Sequence, residues 1–507
     1  MKKLFSVFLL LIFLTSCNIS GVTKTPTKET PKMVNINIVQ LNDIHGHIEQ
    51  ENGKNGISNA AFLIDEIRAE DEYDNTLLIG NGDMFQETAL SRLSYGEVVI
   101  DCMNEMQFDC MGIGNHEFDW GIDRIFNYFD GDETNGEANF PLVNSNIYYK
   151  NTLVTDEKIY ESVLIEKENV KIGVISFIGN VMGSINANMT VDYSFKAQSY
   201  DMQNIVLDLG SKLKDNGADV IVVNIHDGES SGIDDYEPNT VIGNVKYNGK
   251  YLVDAIINGH THTKQAGFIF RDNGNLLPVI QSNGGLATIG RIDLEFNTVT
   301  KQVEGISYKH VSVNSAGYNY NEKVEEIVDK YYAEAKDIIE EVYCKNEVKL
   351  SRYNDNLTHY TANLMMKATG ATAACGNYGG FRNDITGTTL NFSNVYGLNP
   401  FDNHIILCEI KGSDLYKFLM DNQSHNYVYT EDGNFVSDKV YTLAIIDYVY
   451  FSYYFNKYRT SEYTDTLLEV RDLMIEDFRL RDSFNVNEDY SNILIDKIYK
   501  WVSSNDN

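Results

Sequence analysis

The sequence predicts an α/β protein joined to a second, mixed α+β part. Three observations carry that prediction. Short apolar runs alternate with amphipathic stretches through the first half of the chain. Two later runs follow one another with no helix between them. A long acidic amphipathic stretch then separates this half from a region of different pattern. Alternation of this kind marks a sheet covered by helices. With 507 residues, 43% of them hydrophobic, the chain can bury several cores, which excludes a wholly disordered protein.

The first residues form an address rather than a fold. Lys2 and Lys3 precede an apolar run from Leu4 to Leu14, closed by Thr15, Ser16 and Cys17. The run is too short to span a bilayer and reads as a secretory signal over residues 1–16. The small residues before Cys17 resemble a bacterial lipobox, which implies cleavage there and lipidation of the Cys17 thiol. Residues 17–32 then form the lipidated cysteine and a polar, Thr- and Pro-rich tether with too little apolar surface to order itself. The chain is expected to be exported and lipid-anchored to a bacterial membrane, on its periplasmic or cell-surface face. No later stretch is long and apolar enough for a transmembrane helix.

From Met33 the apolar runs are VNINIVQL (34–41), NTLLIG (75–80), CMGIG (110–114), VKIGVISFI (170–178), DVIVVNI (219–225) and LVDAIING (252–259). Helical patterns such as 60–71 and 205–217 lie between them. The runs around 276–282 and 289–296 read as strands without intervening helices. These elements place a first domain at 33–313. Residues 321–343 read as a helix with Val324, Ile327, Val328, Tyr331, Ala335, Ile338, Ile339 and Val342 on one face and acids on the other. It is expected to be a solvated connector within a linker spanning 314–345. Residues 346–507 form the second domain and repeat none of the first domain's motifs.

Forty-one basic and 73 acidic residues give a net charge of −32. Such acidity argues against a nucleic-acid polymer as ligand, because phosphate backbones need a basic face. A small phosphorylated ligand is still allowed, since bound metal reverses the local field. Setting Cys17 aside leaves five cysteines, an odd number. Cys102 and Cys110 could pair, although spacing does not decide it, and the lack of any CxxC argues against a thiolate zinc site.

Five of the six runs end in groups that ligate metals. They lead into Asp43-Ile44-His45, Gly82-Asp83, Asn115-His116-Glu117-Phe118-Asp119, His226-Asp227-Gly228 and Gly259-His260-Thr261-His262. Ligands of α/β sheets gather at the carboxyl ends of strands, and imidazole and carboxylate suit divalent cations. Half of the chain's ten histidines fall in these five places.

This ordered set resembles the calcineurin-like metallophosphoesterases, whose pattern runs D-x-H, G-D, G-N-H-E, H and G-H-x-H. The resemblance implies a four-layered α/β/β/α domain with two adjacent divalent ions, of Mn, Zn, Fe or Co. Asp43, His45, Asp83 and His262 would hold one ion. Asp83, Asn115, His226 and His260 would hold the other, with Asp83 bridging. Catalysis would proceed by attack of a metal-bridged hydroxide. His116 would stabilise developing charge or protonate the leaving oxygen, and Asp119 would orient its imidazole. Glu117 and His47 are read as support.

Residues 377–403, NYGGFRNDITGTTLNFSNVYGLNPFDN, resemble the C-terminal domain of 5′-nucleotidases, with its N-x-G-G-x-R and P-F-x-N patterns. Together the two resemblances point to the 5′-nucleotidase and UDP-sugar hydrolase family, and imply release of phosphate from nucleoside 5′-monophosphates. Asn377 and Gly379 would line the substrate pocket, Arg382 would bind phosphate, and Phe401 would stack on the base with Tyr448 closing the sandwich. One departure stands out. The family's G-G-D-G segment after the second aromatic is replaced by Phe451-Ser452-Tyr453-Tyr454-Phe455, which leaves open a 2′,3′-cyclic nucleotide or a UDP-sugar as substrate. A nucleoside-binding surface lipoprotein without catalysis is the remaining alternative. The partners implied are a small nucleotide and, through the lipid, a membrane. No obligate protein partner is evident.

Overall fold

The computed structural model describes residues 32–50, 56–72, 74–134, 136–272, 274–459, 462–496 and 499. The signal, Cys17 and nearly all of the tether lie outside the described residues. Six strands carry the first domain: β1 (Met33–Leu41), β2 (Thr76–Asn81), β3 (Cys110–Gly112), β4 (Lys171–Ile178), β5 (Val220–His226) and β6 (Ala255–Asn258). They do not form one sheet. Parallel β1, β2 and β3 lie in a seven-stranded sheet whose antiparallel side is Thr288–Asn297 and Gln302–Ser312. Parallel β4, β5 and β6 lie in a second, six-stranded sheet.

The two sheets pack face to face, and burial of both faces of each strand explains why the runs read as mostly apolar. On β1, Val34, Ile36 and Ile38 point between the sheets, while Val39 and Leu41 point outward. On β5, Val220 and Val222 point between them, while Ile221, Val223 and Ile225 face outward. The outer face of the first sheet is covered by helices α1 (Ile57–Arg68) and α2 (Glu97–Glu105), and that of the second by α3 (Ser199–Asp215). The result is the four-layered α/β/β/α order.

The long acidic helix, α4, spans Glu322–Ile339. Asn321 caps it, its side-chain oxygen accepting from the backbone of Lys323 and Val324. It is not a solvated connector. Val324, Val328 and Ile339 are buried in the first domain's core, with Ile327, Tyr331 and Ala335 packed beside them, and Tyr331 donates to Asp101 of α2 at 2.8 Å. The apolar stripe had to be covered, and the flank of α1 and α2 covers it. Two members of the expected face fall off it. Ile338 is exposed, and the helix ends before Val342, which opens the exposed end of a strand (Val342–Asn346) paired with Thr389–Asn391 and Ser483–Phe484.

The second domain is a five-stranded mixed sheet in the order Asn426–Thr430, Ala373–Asn377, Val440–Ile446, His404–Lys411, Thr464–Glu469, with α5 (Asp355–Thr369) packed against it. Cys102, Cys110, Cys344, Cys375 and Cys408 are all free and buried. Cys102 and Cys110 therefore do not pair. Among the described residues no helix is long and apolar enough to cross a membrane.

The packing of α4 sets a stability test. Val324→Ala should lower unfolding stability by about 1–3 kcal/mol, whereas Ile338→Ala should change it by less than about 0.5 kcal/mol. Urea unfolding of both variants checks this, and equal shifts would mean that α4 does not rest on the first domain.

Candidate active site

The crevice lies at the shared carboxyl edge of the two sheets. β1, β2 and β3 deliver Asp43, His45, Asp83 and Asn115 from one sheet. β5 and β6 deliver His226, His260 and His262 from the other. His226 is the last residue of its strand rather than a loop residue. His45 Nε2 is 2.9 Å from His262 Nε2, which is 3.5 Å from Asp43 Oδ1. His226 Nε2 is 3.1 Å from Asp83 Oδ2 and 3.2 Å from Asn115 Oδ1, and His260 Nδ1 is 2.8 Å from the same asparagine oxygen. His45 Nε2 reaches Asp83 Oδ2 at 4.0 Å. Asp83 thus touches both halves of the cluster.

The donor set fits a pair of divalent cations. Nδ1 of His45 faces the carbonyl of Gln86, and Nδ1 of His226 faces that of Asn81. A carbonyl only accepts, so each Nδ1 carries the proton and each Nε2 turns a lone pair inward. Asp83 Oδ2 is buried and accepts no hydrogen bond, a state that is expensive without a cation. Burial opposes charge on His226, yet the Asp83 carboxylate beside its Nε2 outweighs burial and raises its pKa to about 10, so without a cation a proton is drawn to the point where the Nε2 lone pair would meet one. Burial lowers His45 to about 3 and His260 to about 4, which keeps both as neutral ligands. Three triads, Asp43–His45–His262, His45–Asp83–His116 and Asp83–His226–His260, each converge within 4.8 Å.

The loops hold this cluster through strained backbone. Asp43, His45, Asp83, His260 and His262 all have positive φ, between 51° and 69°, a region costing roughly 1 kcal/mol or more per residue. A carboxylate that the sequence reading left without a specific role locks two of the loops together. Glu117 is buried and accepts from the backbone N–H of Asp83 and Met84, each at 2.8 Å, and of Gly114 at 2.6 Å. A Cβ on Gly82 would sit 2.4 Å from the Gly114 nitrogen, so only glycine admits this approach.

His116 sits on the rim. Its backbone N–H donates to Asp83 Oδ1 at 2.8 Å, and its Nδ1 is 2.7 Å from Asp119 Oδ2. Burial disfavours its charge, but Asp119 and Asp83 outweigh burial and raise its pKa to about 9. Asp119 follows the short turn His116–Phe118 and orients the ring.

A cavity of about 390 Å³ opens from the cluster into the second domain. Asp83, Asn115, His116, Asp119, His260 and His262 line one side, and Asn377, Gly379, Arg382, Phe401 and Tyr448 line the other. Phe401 stacks on His116 with centroids 5.9 Å apart at 26°. Tyr448 stands on a short helix, Asp447–Phe451, and donates to the Gly183 carbonyl at 3.2 Å. Arg382 lines the cavity and also makes an ion pair, its Nε donating to Glu87. Arg352 donates to the Arg382 carbonyl. Asn186, whose side chain donates to Asp447 at 2.7 Å, and Glu87 were invisible to sequence reasoning, since each acts across more than 260 residues.

The sequence profile of the family described as calcineurin-like phosphoesterase matches residues 36–264, and that described as 5′-nucleotidase, C-terminal domain, matches residues 344–462. The endonuclease YhcR of Bacillus subtilis is 28% identical over 416 residues, which is 76% of this chain but 32% of that protein. The chain thus spans about a third of that relative. Protein UshA of Yersinia enterocolitica is 25% identical over 438 residues, 77% of this chain and 76% of UshA. The crystal structure of a 5′-nucleotidase precursor from Thermus thermophilus superposes with a TM-score of 0.73 at 17% identity, over 89% of this chain and 97% of its own. That of 5′-nucleotidase from Candida albicans gives 0.65 at 12%, over 88% and 98%. The likeness in fold covers both domains.

Glu117→Gln replaces an acceptor with an amide that cannot satisfy all three N–H groups. Metal affinity should fall about 10- to 100-fold, the usual effect of losing an outer support. Titration calorimetry with Mn²⁺ measures this, and an unchanged affinity would remove Glu117 from the scaffold.

Proposed function

We propose that this chain, which belongs to the calcineurin-like metallophosphoesterases carrying a 5′-nucleotidase C-terminal domain, releases phosphate from nucleoside 5′-monophosphates. That family hydrolyses phosphoesters with a dinuclear divalent metal site. The observation that carries the proposal is the single cavity walled by the metal-ligand cluster on one side and Arg382, Phe401 and Tyr448 on the other. A bound 5′-nucleotide needs a phosphate at the cluster and an apolar slot for a flat base, and this cavity offers both within one small volume.

Asp43, His45, Asp83 and His262 would hold one cation, and Asp83, Asn115, His226 and His260 the other. Two such ions supply Lewis acidity toward a phosphoryl group and toward water. The chain's own residues do the rest. Arg382 presents a planar fork to the phosphate. Phe401 and Tyr448 bind the base through their faces, which discriminate little between bases. His116, held at Nδ1 by Asp119, offers Nε2 to the leaving oxygen and delivers a proton there. The short helix bearing Tyr448 leads into Phe451-Ser452-Tyr453-Tyr454-Phe455 in place of a glycine- and aspartate-containing turn, which favours cyclic nucleotides or UDP-sugars as the second reading.

The basic head, the apolar run and Cys17 support export and lipid anchoring. Cys17→Ser should shift the protein from the membrane fraction to the soluble one, and unchanged fractionation would refute the anchor.

The test of activity is phosphate release with added Mn²⁺ from 5′-AMP, 3′-AMP, 2′,3′-cyclic AMP, UDP-glucose and a ribose-free monoester. Preference for 5′-AMP is expected, and preference for the cyclic or diphosphate substrate would establish the second reading instead. Asp83→Asn should abolish turnover and metal binding alike. Arg382→Ala should raise KM for nucleotides about 10- to 100-fold, the size of a charge-assisted contact, and far less for a small artificial phosphodiester.

A further inference from the structure

Glu87 is unusual in three respects. Its backbone lies at φ +148°, a conformation that residues other than glycine rarely hold. Its side chain is almost fully buried, at 7% exposure. Its carboxylate bonds to the other domain, Oε1 accepting from Arg382 Nε at 2.5 Å, while Oε2 lies 3.8 Å from His47 Nε2. A strained backbone and a buried charge are each costly, and here they coincide on the loop that begins with Asp83.

The bond to Glu87 occupies only Nε of the guanidinium. Among the described residues, none accepts a hydrogen bond from the terminal nitrogens of Arg382. Its backbone is fixed separately by Arg352, and its guanidinium carbon stands 5.9 Å from the centroid of the Phe401 ring. The nitrogens left over are a side of the fork that grips a phosphate bidentately. On the same loop, Gln86 donates to the carbonyl of Pro400 at 2.7 Å, next to Phe401. Nearby, Arg92 pairs with Asp402 at 2.9 Å. The stretch from Asp83 to Arg92 therefore meets both substrate-reading segments of the second domain.

We propose that Glu87 is a positioning residue for substrate: it clamps Arg382 through Nε, so that the terminal nitrogens face the phosphate, and couples the metal-bearing loop to the substrate-reading domain. This rests on the reading of Arg382 as the phosphate ligand. Without the clamp, the long arginine side chain regains its rotamers, and the domain junction loses a partly buried ion pair.

The test is steady-state kinetics of the full chain with Mn²⁺, on whichever ester of the panel it turns over fastest, for the wild type, E87Q, E87G, R382A and E87Q/R382A. E87Q should raise KM about tenfold, the order of one charge-assisted hydrogen bond, with a much smaller change in kcat. In the R382A background E87Q should add nothing to KM. E87G repeats the test with a residue at ease at this φ, so a KM loss shared by E87Q and E87G follows the carboxylate and not misfolding. If R382A raises KM while neither Glu87 variant does, the inference fails alone. An equal KM loss with and without Arg382 also overturns it, because Glu87 would then act elsewhere. If R382A leaves KM unchanged, the phosphate role of Arg382 fails and takes the clamp with it.

Discussion

Asp83 is a buried carboxylate whose Oδ2 has only the ring nitrogens of His226 and His45 before it, and much of the molecule is arranged around its demand for positive charge. Its other oxygen receives the backbone N–H of His116. Its own backbone N–H is held by Glu117. Imidazoles from both sheets turn toward it with their lone pairs inward. A lone ionised carboxylate in such surroundings would be prohibitively costly. The strained loops, the close approach of Gly82 to Gly114 and the facing sheets become intelligible as the scaffold that holds ligands around a charge meant to be met by cations.

The catalytic half of this scaffold was legible because its signal is local and repeated. Each ligand group follows an apolar run by a few residues, and the five groups come in order. The strands themselves were legible because both faces are largely buried, so the runs are mostly apolar, with few polar residues such as Asn37, Gln40 and Asn224 among them. The division into two sheets was implied by the family resemblance and not by the runs themselves. β3 and β4 read alike in sequence, and only pairing decides that one joins β2 and the other joins β5. The role of α4 was misread for a related reason. Its acidic face announces solvent, but nothing in its own sequence says whether the apolar stripe meets a domain or a linker. Glu117 and Glu87 show the limit most clearly. One acts through backbone N–H groups that any residue possesses, and the other through an arginine 295 residues away.

The second domain contributes little to the metal chemistry and much to the shape of the cavity. Phe401 stacks on His116, so the ring read as a base platform also covers one face of that imidazole. Tyr448 reaches across to Gly183, and Asp447 beside it accepts from Asn186. The two domains are thus joined beside the cavity by Glu87 with Arg382 and by Asn186 with Asp447, together with Gln86 on Pro400 and Arg92 on Asp402. Of these, Asp447 lies four residues before the segment, Phe451 to Phe455, that departs from the family pattern.

The positive φ angles at five ligand positions have a consequence for how such a site can change over generations. Aspartate, asparagine and histidine are the residues other than glycine that tolerate this backbone best, and they are also ligands for divalent metals. The loops therefore restrict their own alphabet to letters that still bind. An exchange of one donor for another can retune which cation is preferred without disturbing the turn that carries it, while an exchange for a β-branched residue is penalised by the turn before the lost ligand is felt. Backbone shape and inorganic chemistry apply the same filter here, so drift along these loops tends to yield another metal site.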